Sequence, residues 1–211
     1  MLLKTRERWM GRPFIHVNFA ADGLSEAGQR GGYSGNVSCG VDWRRVHLLR
    51  ERYDAIAVGG KTWNLDRPRL TVRSERLGRE PRRQPARVIF AGSQPCAVSP
   101  GTPAFVISSR RNCGRSAVAV AMDGHNLHGP LESLYAHGIE TLLVEGGPTL
   151  LRSFFCQGLA DLVTIFVRAG TAEAAVRGAH DMLDALPSAQ RVCAFGDGFL
   201  LECGRVEAAA R

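Results

Sequence analysis

Two glycine-bearing segments hold the residues of this 211-residue chain best placed to do chemistry: Gly59-Gly60-Lys61-Thr62-Trp63 and Glu145-Gly146-Gly147-Pro148-Thr149. Each follows a short apolar run, Asp54-Ala55-Ile56-Ala57-Val58 in one case and Glu140-Thr141-Leu142-Leu143-Val144 in the other. Each also precedes a stretch able to form a helix. A strand that ends in glycines and opens a helix offers free backbone N–H groups and the positive end of a helix dipole to an anion. Two such turns in one small domain point to a ligand with more than one phosphate, and so to a nucleotide cofactor.

The elements that must position these turns follow from the hydrophobic pattern. Residues 13–20 alternate apolar and polar and read as a first strand. A glycine-rich loop follows and has the character of a lid. Val46, Leu49 and Tyr53 then recur at helical spacing. Short apolar runs at 54–58, 87–91, 104–108, 117–121, 140–144, 162–167 and 199–203 read as buried strands. Residues 71–85 read as a polar, arginine-rich surface connection. Helices are expected around Pro130–Tyr135, with Gly138 just past the end, and from Pro148 to Gly158. Strands alternating with helices imply a mainly parallel sheet covered on both faces. The closing strands lack a clear intervening helix, so an antiparallel C-terminal edge is expected.

Composition narrows the class. Hydrophobic residues make up 45% and charged residues 22%, as in a globular domain. No run is long and apolar enough for a membrane span, and the N-terminus lacks a signal-peptide core. The six cysteines are scattered without a C-x-x-C pair, which favours reduced thiols in the cytoplasm. The net charge of +7 comes without a zinc-finger spacing or an RNA-binding aromatic signature, so nucleic acid is not the expected partner. His125 and His128 have no third ligand nearby in sequence, and no metal is expected.

A family resemblance then emerges. Arg12-Pro13-Phe14, Asn18 to Gly23, Val46-His47-Leu48-Leu49-Arg50, the 54–59 segment, Thr62, Asp66 to Arg73 and Val144-Glu145-Gly146-Gly147 occur in order. Together they resemble the RibD C-terminal reductase family of riboflavin biosynthesis, which has the dihydrofolate reductase-like α/β fold. Gly59-Gly60-Lys61-Thr62-Trp63 and the 89–95 segment are also similar to dihydrofolate reductase. The resemblance implies residues 1–11 as an N-terminal extension and 12–211 as one reductase domain, commonly a homodimer. It also implies NADPH-dependent hydride transfer to C1′ of a phosphoribosylamino-pyrimidine.

The resemblance assigns roles residue by residue. Ala20, Ala21, Gly59, Gly60, Lys61, Thr62 and Ser93 would meet NADPH, with Ser93 and Lys61 at its 2′-phosphate. Gly146, Gly147, Pro148, Thr149 and Leu150 would wrap the pyrophosphate. Asp66 would be catalytic. Ser34, Arg50, Leu70, Arg73 and Glu145 would meet the substrate, the two arginines gripping its 5′-phosphate. Taken singly, Arg50 reads as a solvated helix residue, Asp66 as a turn residue, and Glu145 as the partner of a neighbouring arginine. The family's tryptophan after the glycine-rich loop is replaced here by the Ser34–Ser38 region, and residues 167–171 depart from the usual ending. An NADPH-dependent reductase of secondary metabolism, acting on a pterin or pyrimidine-like ring, is one alternative. A non-catalytic nucleotide-binding protein is the other.

Overall fold

A computed structural model describes residues 11–23, 37–98, 103–109, 117–183 and 186–205. Ser34, Asn36 and most of the glycine-rich loop lie outside these residues, as does nearly all of the N-terminal extension.

Among the described residues nine strands form one sheet in the order β5-β4-β3-β2-β6-β1-β7-β9-β8. They are β1 (Phe14–Asp22), β2 (Ala55–Gly59), β3 (Ala86–Gly92), β4 (Ala104–Ser108), β5 (Val118–Ala121), β6 (Thr141–Gly146), β7 (Leu162–Arg168), β8 (Ala189–Phe195) and β9 (Gly198–Cys203). All pairings from β5 to β7 are parallel. The β7–β9 and β9–β8 pairings are antiparallel, as the closing runs suggested.

The two-residue period of β1 sorts its side chains onto opposite faces. Ile15, Val17, Phe19 and Ala21 join the main apolar core. That core holds Leu131 and Leu134 of α4 (His128–Ala136), four residues of α5 (Pro148–Cys156), and Ala175 and Ala179 of α6 (Ala172–Met182). His16 and Asn18 point the other way, toward α1 (Gly40–Arg52), which packs beside α3 (Ser74–Leu77). On this same face α2 (Gly60–Asp66) lies against β3. Helices therefore cover both faces, as expected for the dihydrofolate reductase-like arrangement.

Three elements depart from the sequence reading. Helix α3 interrupts the supposed surface connection. Helix α6, capped by the Thr171 hydroxyl accepting from the Ala174 N–H, sits between β7 and β8. Its fully buried residues are alanines, with Val176 and Met182 only partly buried against the core, so its apolar stripe is faint in the sequence. Strand β8 is a half-exposed edge that none of the apolar runs marked.

Candidate active site

Strand β6 lies between β1 and β2, and open α/β sheets bind ligands beyond the C-terminal ends of strands at such reversals of order. Here the β2–β6 register shifts between Ala57 and Val58, bringing Val58 opposite Gly146. A cleft of about 440 Å³ opens at this end of the sheet. Asn18 and Ala20 of β1, Asp42, Trp43, Val46 and Arg50 of α1, Thr62 and Asp66 of α2, Pro68, Leu70 and Glu145 are among its walls.

The two glycine turns meet beside it. Gly147 caps α5 with φ +84°, a conformation that favours glycine, and a Cβ there would lie 2.9 Å from Thr62 Oγ1. Pro148 occupies the first helical position, where its missing N–H costs no hydrogen bond. Gly60 is different in kind: its Cβ would meet the Ala91 backbone at 2.9 Å, so it allows α2 to pack on the end of β3. The α2 helix is further tied down by Trp63 Nε1 donating to the Ala97 carbonyl and Asn64 Nδ2 to that of Pro95, each at 3.0 Å. This places exposed Lys61 and exposed Ser93 on neighbouring elements. Thr149 is exposed, while Gly146 and Leu150 are buried.

Asp66, exposed at the last turn of α2, faces the cleft just before two left-handed residues, Arg67 (φ 43°) and Leu70 (φ 51°). Such conformations are costly for residues with a Cβ and often accompany functional turns. Leu70 is nonetheless buried, and it packs with Ile56 and Val58.

Arg50 and Glu145 find each other across the cleft. Arg50 Nε and Nη2 donate to the two Glu145 carboxylate oxygens at 2.8 and 2.6 Å, and Nη1 donates to the Thr71 carbonyl at 3.1 Å. Arg50 is thus a buried, bidentate partner rather than a solvated helix residue, and Glu145 is paired with an arginine.

Arg73 does not line the cleft itself. Its backbone N–H donates to His47 Nδ1 at 3.0 Å, and its buried Nε has no partner among the described residues. Burial, reinforced by the positive charges of Arg50, Arg73 and Arg76, lowers the His47 pKa to about 4. Arg76 in turn lies over the Trp43 ring at 5.4 Å.

Beneath the cleft runs a buried polar chain that the sequence did not reveal. Thr164 Oγ1 donates to Asn18 Oδ1, and His16 Nε2 bonds to Thr164 Oγ1, both at 2.8 Å. Since the threonine proton is engaged with Asn18, His16 carries its own proton on Nε2, and Nδ1 accepts from Tyr53 at 2.7 Å. Burial, with help from Arg45, lowers the His16 pKa to about 3, while burial raises that of Tyr53. Arg45 closes the chain by donating to Asn18 Oδ1 and Asp42 Oδ1, each at 2.8 Å.

Ala21 corrects one expectation. Its side chain sits in the apolar core on the opposite face from Ala20, so only its backbone can border the cleft. The remaining candidates within the described residues surround the cleft or its two flanking turns, apart from Arg73, one step behind the wall. Asn18, Asp42 and Trp43 were missed. Their signals were the strand alternation that pairs Asn18 with Ala20, and the i, i+3 Asp42–Arg45 spacing. Among the described residues no group of three or more metal-type ligands occurs, and no helix is long and apolar enough to cross a membrane.

The mainly parallel sheet, with a cleft over its C-terminal strand ends and a helix-opening glycine turn beside it, defines a protein of the dihydrofolate reductase-like α/β class. More narrowly, the chain belongs to the RibD C-terminal domain family, whose model matches residues 13–170. It is 35% identical over 172 residues to the 2,5-diamino-6-ribosylamino-4(3H)-pyrimidinone 5′-phosphate reductase of Methanothermobacter thermautotrophicus, covering 74% of this chain and 77% of that one. The reductase of the same name from Archaeoglobus fulgidus is 33% identical over 178 residues, with 74% and 80% covered. Among solved structures, the diaminohydroxyphosphoribosylaminopyrimidine deaminase/5-amino-6-(5-phosphoribosylamino)uracil reductase of Thermotoga maritima superposes with a TM-score of 0.67 at 25% identity. The match covers 92% of this chain and 57% of that bifunctional one.

Proposed function

We propose that this chain is an NADPH-dependent reductase that converts a phosphoribosylamino-pyrimidine to its ribitylamino product. The observation that carries the reading is one cleft holding Thr62, Asp66, Leu70 and the Arg50–Glu145 pair beside the Gly147 turn. The residues fit a dinucleotide: at Gly147 a Cβ would fill the approach to the α5 N-terminus, which glycine leaves open to a pyrophosphate. Lys61 and Ser93, on adjoining elements, are suited to a 2′-phosphate. The relatives' names carry a phosphorylated pyrimidine substrate, which agrees with the arginines around His47.

When bound, the dihydronicotinamide supplies a hydride. The substrate's ribose ring opens to expose a C1′=N bond, C1′ gains the hydride, and the nitrogen gains a proton, leaving a secondary amine. Asp66 holds negative charge near that centre, stabilising the cationic imine and relaying its proton. Arg73 takes the 5′-phosphate, because three of the five Arg50 N–H groups, one on each nitrogen, are already held by Glu145 and the Thr71 carbonyl. Arg50 instead fixes the Glu145 carboxylate at the cleft wall.

NADPH consumption with 5-amino-6-(5-phosphoribosylamino)uracil and its 2-amino counterpart, with products identified by mass, tests the proposal. A product two hydrogens heavier is expected, as is an Asp66→Asn variant that binds substrate but turns over slowly. Turnover confined to unphosphorylated heterocycles would favour the secondary-metabolism alternative. NADPH binding with no turnover would favour a non-catalytic protein. The homodimer expected of this family is checked by sedimentation of the purified chain.

A further inference from the structure

Asp42 lies in the first turn of α1, on the cleft wall, and is 1% exposed. Its Oδ1 is held by Arg45, with Nε and Nη2 both at 2.8 Å. Its Oδ2 is buried and has no hydrogen-bond partner among the described residues. A buried carboxylate oxygen with no donor is costly, and first-turn placement with an i+3 arginine accounts for only one of the two oxygens. Asn18 stands near it on the same wall. Its amide oxygen is claimed by Arg45 and Thr164, and its Nδ2 donates to nothing among the described residues. The wall of the cleft thus holds an unsatisfied carboxylate oxygen, with an amide donor close by.

We propose that Asp42 is a specificity-determining residue: its Oδ2 accepts a hydrogen bond from the 2-amino group of a 2-amino-4(3H)-pyrimidinone substrate. The inference rests on the reductase function proposed above and narrows it to the ring that still carries nitrogen at C2. An exocyclic amino group donates to Oδ2 and fills the vacancy left by Arg45. A C2 carbonyl at the same position sets oxygen against oxygen, leaving both acceptors unpaired. Asn18 Nδ2 is free to donate to a ring nitrogen or carbonyl beside it.

The test compares 2,5-diamino-6-ribosylamino-4(3H)-pyrimidinone 5′-phosphate with 5-amino-6-(5-phosphoribosylamino)uracil, using kcat/KM in the intact chain. The wild type is expected to prefer the 2-amino substrate by about 10- to 100-fold, the range of a charge-assisted hydrogen bond made or lost. Asp42→Asn keeps the shape and adds an N–H donor, so the preference should collapse or invert, mainly through KM, with NADPH affinity unchanged. A purely structural role would lower both substrates by the same factor. Should Asp42→Asn fail to fold, Asp42→Ser carries the same test, with the preference expected to shrink. Equal use of both substrates by the wild type overturns the assignment while leaving the reductase function intact, and so does an unchanged ratio in the folded variant. Failure of the wild type to reduce either substrate overturns the reductase function and this inference together.

Discussion

The two faces of the sheet are built from the same strands, yet they solve different problems. On the α4–α6 face, β1, β2, β6 and β7 present Val17, Ala57, Val144 and Ile165 to a continuous apolar core. On the α1–α3 face, the alternate positions carry His16, Asn18, Glu145 and Thr164, with only small apolar clusters around Ile56 and Ile89. The first face gains its stability from burial that has no direction. The second holds charged and hydrogen-bonding groups out of water, most of them paired, with Asp42 Oδ2 and Arg73 Nε left without a partner among the described residues, and it is here that the cleft opens. Stability and chemistry are thereby separated by the two-residue period of a strand.

The largest expected effect is on the apolar face. Phe154 is fully buried and meets Phe90 edge-on at a 5.6 Å centroid distance. Phe154→Ala should cost about 3–5 kcal/mol in urea unfolding, since the vacated volume cannot collapse fully. Next comes the polar face, whose buried histidines should give acid sensitivity. His16 and His47 have folded pKa values of about 3 and about 4, below the ordinary 6.5. As pH falls below 6.5 the unfolded chain takes up two protons that the folded chain refuses. Stability present above pH 6.5 is therefore lost progressively toward the folded values, with a slope of up to two protons, each worth about 1.4 kcal/mol per pH unit. His16→Gln should flatten that slope by about one proton, whereas a pH slope unchanged in that variant would place the titration elsewhere.

What the sequence made legible follows the same division. Buried parallel strands appear as apolar runs, so β2, β3, β4 and β6 were readable, and glycines before a helix marked both turns. Helix α6 was hidden because alanines contact the sheet, and β8 because an edge strand alternates weakly. In the site, Thr62, Asp66, Leu70, Arg50 and Glu145 were all named, but the Arg50–Glu145 pair joins residues 95 positions apart and only the fold brings them together. The side chains of Ala20 and Ala21 part company because adjacent strand residues face opposite ways, which leaves Ala21 only its backbone for the cleft. Asp42 was overlooked because a first-turn acid beside an arginine already has a local explanation.

The third prediction probes the boundary between the faces. Gly147→Val forces a β-branched residue into φ +84° and a contact 2.9 Å from Thr62 Oγ1. We expect NADPH binding, followed by nicotinamide fluorescence, to fall by more than about 100-fold, since strain and obstruction act together at the helix start. The apolar core, including Phe154 on α5, should keep the protein folded by circular dichroism. Normal NADPH affinity in a folded variant would remove Gly147 from the cofactor site.

The smallest expected effect separates two arginines that looked equivalent in sequence. Arg50 is part of the scaffold of the polar face, bonded through all its nitrogens, while Arg73 has a buried Nε without a partner among the described residues. If Arg73 holds the substrate phosphate, Arg73→Ala removes one charge-assisted bond, about 1.5–3 kcal/mol, or roughly a 10- to 150-fold rise in Kd for the phosphorylated substrate. NADPH affinity should barely change, and the dephosphorylated analogue should bind wild type and variant alike. Arg50→Ala should behave differently, because it strands the Glu145 carboxylate at the cleft wall, and unfolding stability should drop together with binding of both analogues. Isothermal titration with the two analogues, beside a thermal melt of each variant, distinguishes the roles. Equal losses from both arginines on the phosphorylated form, with melting unchanged, would mean that they share the phosphate and that the Arg50–Glu145 pair opens when substrate enters.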